Sequence, residues 1–404
     1  MRHFLALAIA LTVSCLLPAS AAAQLSSGLI SQAEARRHGL ERAWITHAAV
    51  DRSRDRLANL TLDGPNLFVQ SNKSLLQSLD AETGARVWTV QVGHRDYPSS
   101  PPAANEKYVA VVNGSTLYIL DRATGQTIRE QKLRWVPSGS VELSQNWVYV
   151  PTLNSQLEVF GLENPELRWN CGSAGYIDMP PLVARKALVW GTSKGYVNFA
   201  SPSRGEINFR LQTNGPVSAP MSYWPPMVLA ASRDGYLYAI HEQTGDTIWR
   251  FSLGTAINEA PVAIDGSVYV VSEEGGVHCL ACDDGKVRWY SVKATRVLAV
   301  TPTHVYATDR LGNTLILDAQ TGGHMDTLTT WQLPVKYTNI QNDRLYYGSA
   351  TGLLMCFRDA SLAQPIQHQL PPELMPVESG GAGDMPMPTD PAAAPAENPF
   401  GVQP

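Results

Sequence analysis

A chain of 404 residues with a net charge of -5 carries no electrostatic footprint for nucleic acid or for an anionic membrane surface. Charged residues make up 17%, below the roughly 25% of an average soluble protein, while hydrophobic residues reach 44%, alongside 31 Gly, 28 Pro, 10 Trp and 15 Tyr. That mixture suits a turn-rich all-β protein with a large buried area, and the few cysteines exclude a small secreted domain held by disulfides.

The chain starts with a secretory leader: Arg2 and His3 are followed by an apolar run over residues 4–17 and by small residues up to Ala23. The run is shorter than the roughly 20 residues of a membrane span. Cys15 lacks the leucine three residues upstream that a lipidation site usually carries, since Thr12 stands there. The expected product is extracytoplasmic, without a lipid anchor and without a transmembrane span. Its segments are a signal peptide over 1–23, a lead-in with a short helix over 24–40, a repeat domain over 41–370 and a tail over 371–404. Ser31 and Glu34 have capping-box spacing, which predicts a helix over residues 32–38 stopped by Gly39. The tail is rich in Pro, Ala, Gly and Met and reads as disordered.

From residue 57 a unit of about 40 residues repeats. Its marker is a polar turn with a glycine and an aromatic four residues on. The glycines are Gly84, Gly125, Gly205, Gly245, Gly285 and Gly322, and the aromatics are Trp88, Trp169, Phe209, Trp249 and Trp289. Arg129 and Asp326 stand in the aromatic place of two units, and Pro165 stands in a glycine place. Within a unit, four short runs of strand character are separated by turn residues such as Asp265-Gly266 and Gln243-Thr-Gly245. This is the grammar of an all-β propeller with four-stranded antiparallel blades. Eight blades fit the length, with seven as the alternative. The last unit lacks an outer strand, and the strand-like segment 43–50 is expected to supply it and so close the ring.

Asp80, Asp121 and Asp318 recur in the turns and read as turn formers, because catalytic carboxylates converge from different units instead of repeating in each. Cys279 and Cys282 align with small strand residues of other units. No catalytic, cofactor-binding or metal-binding residue is assigned. The aromatic, proline-rich loops around Tyr97, Tyr176 and Tyr223-Trp224 are the candidates for partner contact.

The pattern Asp-x-x-Thr-Gly-x-x-x-Trp, best seen at Asp80–Trp88 and in the unit ending at Trp249, resembles the tryptophan-docking motif of pyrroloquinoline-quinone-type β-propellers. Two branches of that group matter. Quinoprotein alcohol dehydrogenases imply a pyrroloquinoline quinone with calcium beside a pair of adjacent cysteines, and this chain has no Cys-Cys pair. BamB-like propellers imply a non-enzymatic scaffold without a cofactor, whose partners are other envelope proteins. Size, leader and blade length resemble the second branch. The expected function is an extracytoplasmic binding scaffold in envelope or outer-membrane assembly, with the quinoprotein oxidoreductase as alternative.

Overall fold

In the computed structural model the described residues are 29–368. The leader over 1–23 and the tail over 371–404 therefore lie outside the described residues. The described residues form eight four-stranded antiparallel sheets, and each sheet is one blade of a propeller. In the first seven the strands follow one another outward in chain order: blade 1 covers residues 57–91, blade 2 103–132, blade 3 142–172, blade 4 182–212, blade 5 222–252, blade 6 262–291 and blade 7 296–328.

The burial pattern follows strand position. Second strands are sealed between neighbouring blades on both faces, and so read as continuous apolar runs; Met227–Ala231 is buried at every residue. Outer strands alternate instead, as in Arg86–Gln91, where Trp88 is buried and Val87 is exposed. Innermost strands of blades 2 to 6 are short, with two or three residues each. The sequence suggests one over 257–264, yet only Val262–Ile264 pairs, because Pro261 has no N–H to give the ladder.

The eighth blade joins the two ends of the chain. Its inner three strands are Val335–Lys336, Leu345–Gly348 and Leu353–Asp359, and its outer strand is β1, Leu40–His47. β1 pairs antiparallel with Leu353–Asp359, with Leu40 opposite Asp359, Trp44 opposite Cys356 and His47 opposite Leu353. The closing strand thus begins three residues before the expected 43–50. The cause is local: helix α1, Gln32–Arg37, ends at His38, and Gly39 at φ +71 turns the chain directly into β1. Ser31 caps α1 by accepting the Glu34 N–H at 3.1 Å. A six-residue helix is not stable alone. It is held by docking, with Ala35 fully buried among Leu40, Tyr306, Leu328 and Phe357 of the last two blades.

Each meander has two ends, which defines two faces of the ring. One, the turn face, carries the inner hairpins and the Asp-x-x-Thr-Gly turns. The other, the linker face, carries the central hairpins and the linkers between blades. Trp44 should be the residue most costly to lose at the closure. It packs with Leu57, Leu67, Leu79 and Tyr346 in the cluster that joins blade 8 to blade 1. Trp44→Ala is expected to destabilise the ring by about 3–5 kcal/mol in equilibrium unfolding, and removal of residues 29–47 to lower the melting temperature sharply. An unchanged melting temperature on that truncation would contradict closure by β1.

Candidate functional site

The repeated motif forms a contact between blades. Trp44 of β1 donates its indole N–H to the Ala81 carbonyl of blade 1 at 2.9 Å. Trp88 does the same to Arg122 of blade 2 at 2.8 Å, Trp249 to Cys282 of blade 6 at 2.7 Å and Trp289 to Ala319 of blade 7 at 2.9 Å. The ring of each indole lies against the turn glycine of the next blade. Gly84 has φ +69, and a Cβ there would lie 2.7 Å from the Trp44 ring. So two constraints demand glycine at this position. Gly125, Gly205, Gly245, Gly285 and Gly322 meet Trp88, Trp169, Phe209, Trp249 and Trp289 in the same way. Trp44 completes this set; the sequence reading placed it on a strand without seeing it as a docking residue. The turn aspartates serve their own turns through Oδ1: Asp80 accepts the Thr83 N–H at 2.8 Å and the Thr83 hydroxyl at 2.7 Å, and Asp121 and Asp318 repeat this.

The departures from the motif come in coupled pairs. Arg129 of blade 2 replaces the aromatic where blade 3 has lost its glycine to Pro165. The guanidinium donates to the carbonyls of Gly161 at 2.9 Å and Leu162 at 3.5 Å, the second being the counterpart of the usual indole acceptor. Asp326 of blade 7 replaces the aromatic where blade 8 has no turn, because its outer strand comes from the other end of the chain. Asp326 instead accepts from His38 of α1 at 2.6 Å. Burial is the largest influence and works against that carboxylate, but the hydrogen bonds from His38 and the Thr327 N–H, with the nearby His38 and His324 rings, together outweigh it and hold it below the usual carboxylate range. Trp169 keeps its place but loses its acceptor, since the Pro202 carbonyl already takes the Tyr149 hydroxyl at 2.9 Å.

Cys279 and Cys282 do not form a pair. Cys279 is sealed in the core between blades 6 and 7 and Cys282 in the core between blades 5 and 6, on opposite sides of one sheet. All four described cysteines are free and buried. Burial raises each thiol, with Cys282 pushed up to about 12 by burial and by Asp283. Among the described residues no group of three His, Cys, Asp or Glu side chains could hold a metal ion.

The aromatic loops divide between the faces. Tyr97 lies in the linker into blade 2 and Tyr176 in the linker into blade 4, both on the linker face and 56% and 60% exposed. Tyr223 and Trp224 belong to the inner strand Ser222–Trp224 near the turn face and are half-buried. The Tyr223 hydroxyl accepts the Arg185 N–H at 3.3 Å, which ties it to blade 4.

At the seam of blades 2 and 3 a cleft opens, with a volume of about 460 Å³. Gln131, Lys132, Leu133, Arg134 and Trp135 form one wall, and Glu158, Phe160, Arg168 and Asn170 the other. It lies where Arg129 has replaced the tryptophan dock. The Arg134 guanidinium stacks 4.7 Å over the Trp135 ring. Glu158 is 6% exposed, and its carboxylate accepts the backbone N–H groups of Arg134 at 3.3 Å and Trp135 at 3.0 Å, which fixes the shape of the wall. The sequence analysis missed this cleft, although Arg129 and Pro165 mark it. A wider groove of about 800 Å³ runs over blades 6 and 7. Some of its polar groups are engaged locally: Arg310 donates to the Glu274 carbonyl, Asp309 accepts from the backbone of its own turn, and His278 stacks on Tyr290 at 4.3 Å, while the Thr255 hydroxyl and His278 Nδ1 are buried without a partner.

Residues 42–210 and 213–346 match the protein family described as outer membrane protein assembly factor BamB. A protein of that description from Burkholderia pseudomallei is 30% identical over 223 residues, covering 50% of this chain and 58% of the relative, so the match spans less than two thirds of that relative's length. The crystal structure of BamB from Moraxella catarrhalis superposes with a TM-score of 0.65 at 17% identity, over 79% of this chain and 97% of the other. A quinohemoprotein alcohol dehydrogenase from Pseudomonas putida superposes with a TM-score of 0.62 at 11% identity, over 82% of this chain and 78% of the other. At such identities the two superpositions show a shared propeller fold and no more.

The thiols provide a direct check. In native protein at pH 8 a thiol reagent should label none of Cys171, Cys279, Cys282 and Cys356, and all four after unfolding. A raised folded-state pKa favours the folded chain below about pH 8.5, where unfolded thiols begin to ionise. That contribution should fade as pH rises from there toward about 12, seen as a falling melting temperature in alkaline buffer that Cys282→Ala makes shallower.

Proposed function

The chain belongs to the family of the outer membrane protein assembly factor BamB, and from that premise we propose that it acts as a non-enzymatic, extracytoplasmic scaffold. It would hold other envelope proteins during assembly of the outer membrane. The observation that carries this reading is the extent of the family match, which begins within β1 and runs into the last blade. The match follows the ring itself and not a fragment of it. The secretory leader supports the compartment. Among the described residues no helix is long and apolar enough to cross a membrane.

The composition of the ring supports binding over catalysis. Its repeated carboxylates are spent on turns and its thiols on core packing. The quinoprotein reading asks for a quinone with calcium beside adjacent cysteines. Cys279 and Cys282 face different cores, and no described cluster of acidic or histidine side chains has the geometry for calcium, so the residues present do not fit that group.

Deleting the gene in its host should lower the amount of β-barrel proteins in the outer membrane, and a plasmid copy should restore it. Purified protein incubated with pyrroloquinoline quinone and calcium should acquire no dye-linked alcohol oxidation. Unchanged outer-membrane composition, or alcohol oxidation above background, would overturn the proposal.

A further inference from the structure

The seam between blades 2 and 3 differs from the others in its contact and in its charge. Arg134 and Arg168 are exposed on the two walls of the cleft, Lys132 turns to the other side of its strand and donates to the Thr116 hydroxyl at 3.0 Å, and the half-buried Arg129 donates only to carbonyls. Glu158 is the carboxylate in the cleft, and both its oxygens already accept backbone N–H groups. Glu130 points away, toward Tyr118 on the other side of its strand. The cleft therefore has an excess of uncompensated cations beside an indole face.

Its surroundings extend this surface along the linker face. Val136 and Leu153 are each more than half exposed, and the Leu153 N–H bonds to the Val136 carbonyl at 2.9 Å, so both side chains are carried by one ordered ledge. Scattered apolar side chains are ordinary on a protein surface, but Val136 directly follows Trp135 and is tied to Leu153, which adds apolar contact beside the charge of the cleft.

We propose that the blade 2–3 seam is a docking cleft for an extended acidic segment of a partner protein, with carboxylates meeting Arg134 and Arg168 and an aromatic or aliphatic side chain meeting Trp135 and the rim. The proposal rests on the scaffold reading and names the partner chemistry. Arg134 stands on one wall and Arg168 on the other, so an extended segment lying in the cleft meets a cation on each side. A compact polyanion such as a phosphate headgroup would be drawn toward the buried Glu158 carboxylate, which opposes it. At this seam Arg129 stands in place of the tryptophan dock and ties the blades by hydrogen bonds at the turn end, and the cleft lies between the segment Gln131–Trp135 and blade 3.

The test uses the full mature chain and a fluorescein-labelled twelve-residue peptide of Glu and Asp with two Phe, followed by anisotropy at low salt. Saturable binding is expected. It should weaken at least tenfold in the charge-reversed double variant Arg134→Glu, Arg168→Glu, and several-fold in Trp135→Ala. It should survive in Lys293→Glu, on the same face at blades 6 and 7, and in Arg134→Lys, Arg168→Lys. Far-UV circular dichroism and the melting temperature confirm that the variants fold, and the neutral Arg134→Gln, Arg168→Gln pair replaces the reversed one if that pair does not. A peptide with Lys for every Glu and Asp should not bind. Absence of binding, or equal binding by the double variant, overturns the proposal. So does co-sedimentation with phosphatidylglycerol vesicles that the double variant abolishes while the peptide fails to bind. If the peptide fails but gene deletion still depletes outer-membrane barrels, the cleft assignment falls alone; if both fail, the scaffold reading falls with it.

Discussion

The packing of an indole from one blade on the turn glycine of the next is the contact on which this ring depends. A blade cannot bury both faces alone, so each sheet is stable only between two neighbours. The indole supplies most of the fixing energy. Losing a buried Trp costs about 3–5 kcal/mol, while the single hydrogen bond its N–H makes is worth about 1 kcal/mol. The hydrogen bond selects the angle, and the burial holds it. Glycine follows from both requirements, since the turn needs a left-handed residue and the ring leaves no room for a side chain.

Magnitudes also explain how the ring tolerates exceptions. The His38–Asp326 pair is partly exposed, with side-chain accessibilities of 22% and 46%. Such a pair is worth about 0.2–1 kcal/mol, too little to replace an indole. The seven-residue pairing of β1 and the apolar cluster around Trp44 and Tyr346 carry the closure instead. Between blades 2 and 3 an apolar cluster around Leu117, Ile119, Phe160 and Leu162 does the same, and Arg129 adds two bonds to carbonyls. With that cluster holding the blades, the seam dispenses with an indole at its outer edge and presents charged walls to solvent there.

The repeat was legible in the sequence because its turn chemistry is local: Asp, Thr and Gly within five residues announce themselves without tertiary knowledge. Blade number and the origin of the closing strand followed from the period and from the missing outer strand. The start of β1 was misplaced by three residues because Gly39 both ends α1 and begins the strand. What could not be read was pairing across a seam. Arg129 and Pro165 were visible as separate oddities, but their contact joins residues of different units. Glu158 and Arg168 become wall residues only when blade 3 packs against blade 2. The aromatic loops were chosen by composition alone, which cannot tell one end of a meander from the other. Hence Tyr97 and Tyr176 share a face, while Tyr223 and Trp224 lie near the opposite one.

Native-state hydrogen exchange followed by mass spectrometry tests most directly whether indole docking sets the strength of each seam. The account predicts that amides of Thr127–Lys132, beside the Arg129 seam, exchange faster than those of Thr247–Ser252, whose Trp249 is docked on Gly285. Equal protection of the two outer strands would contradict it.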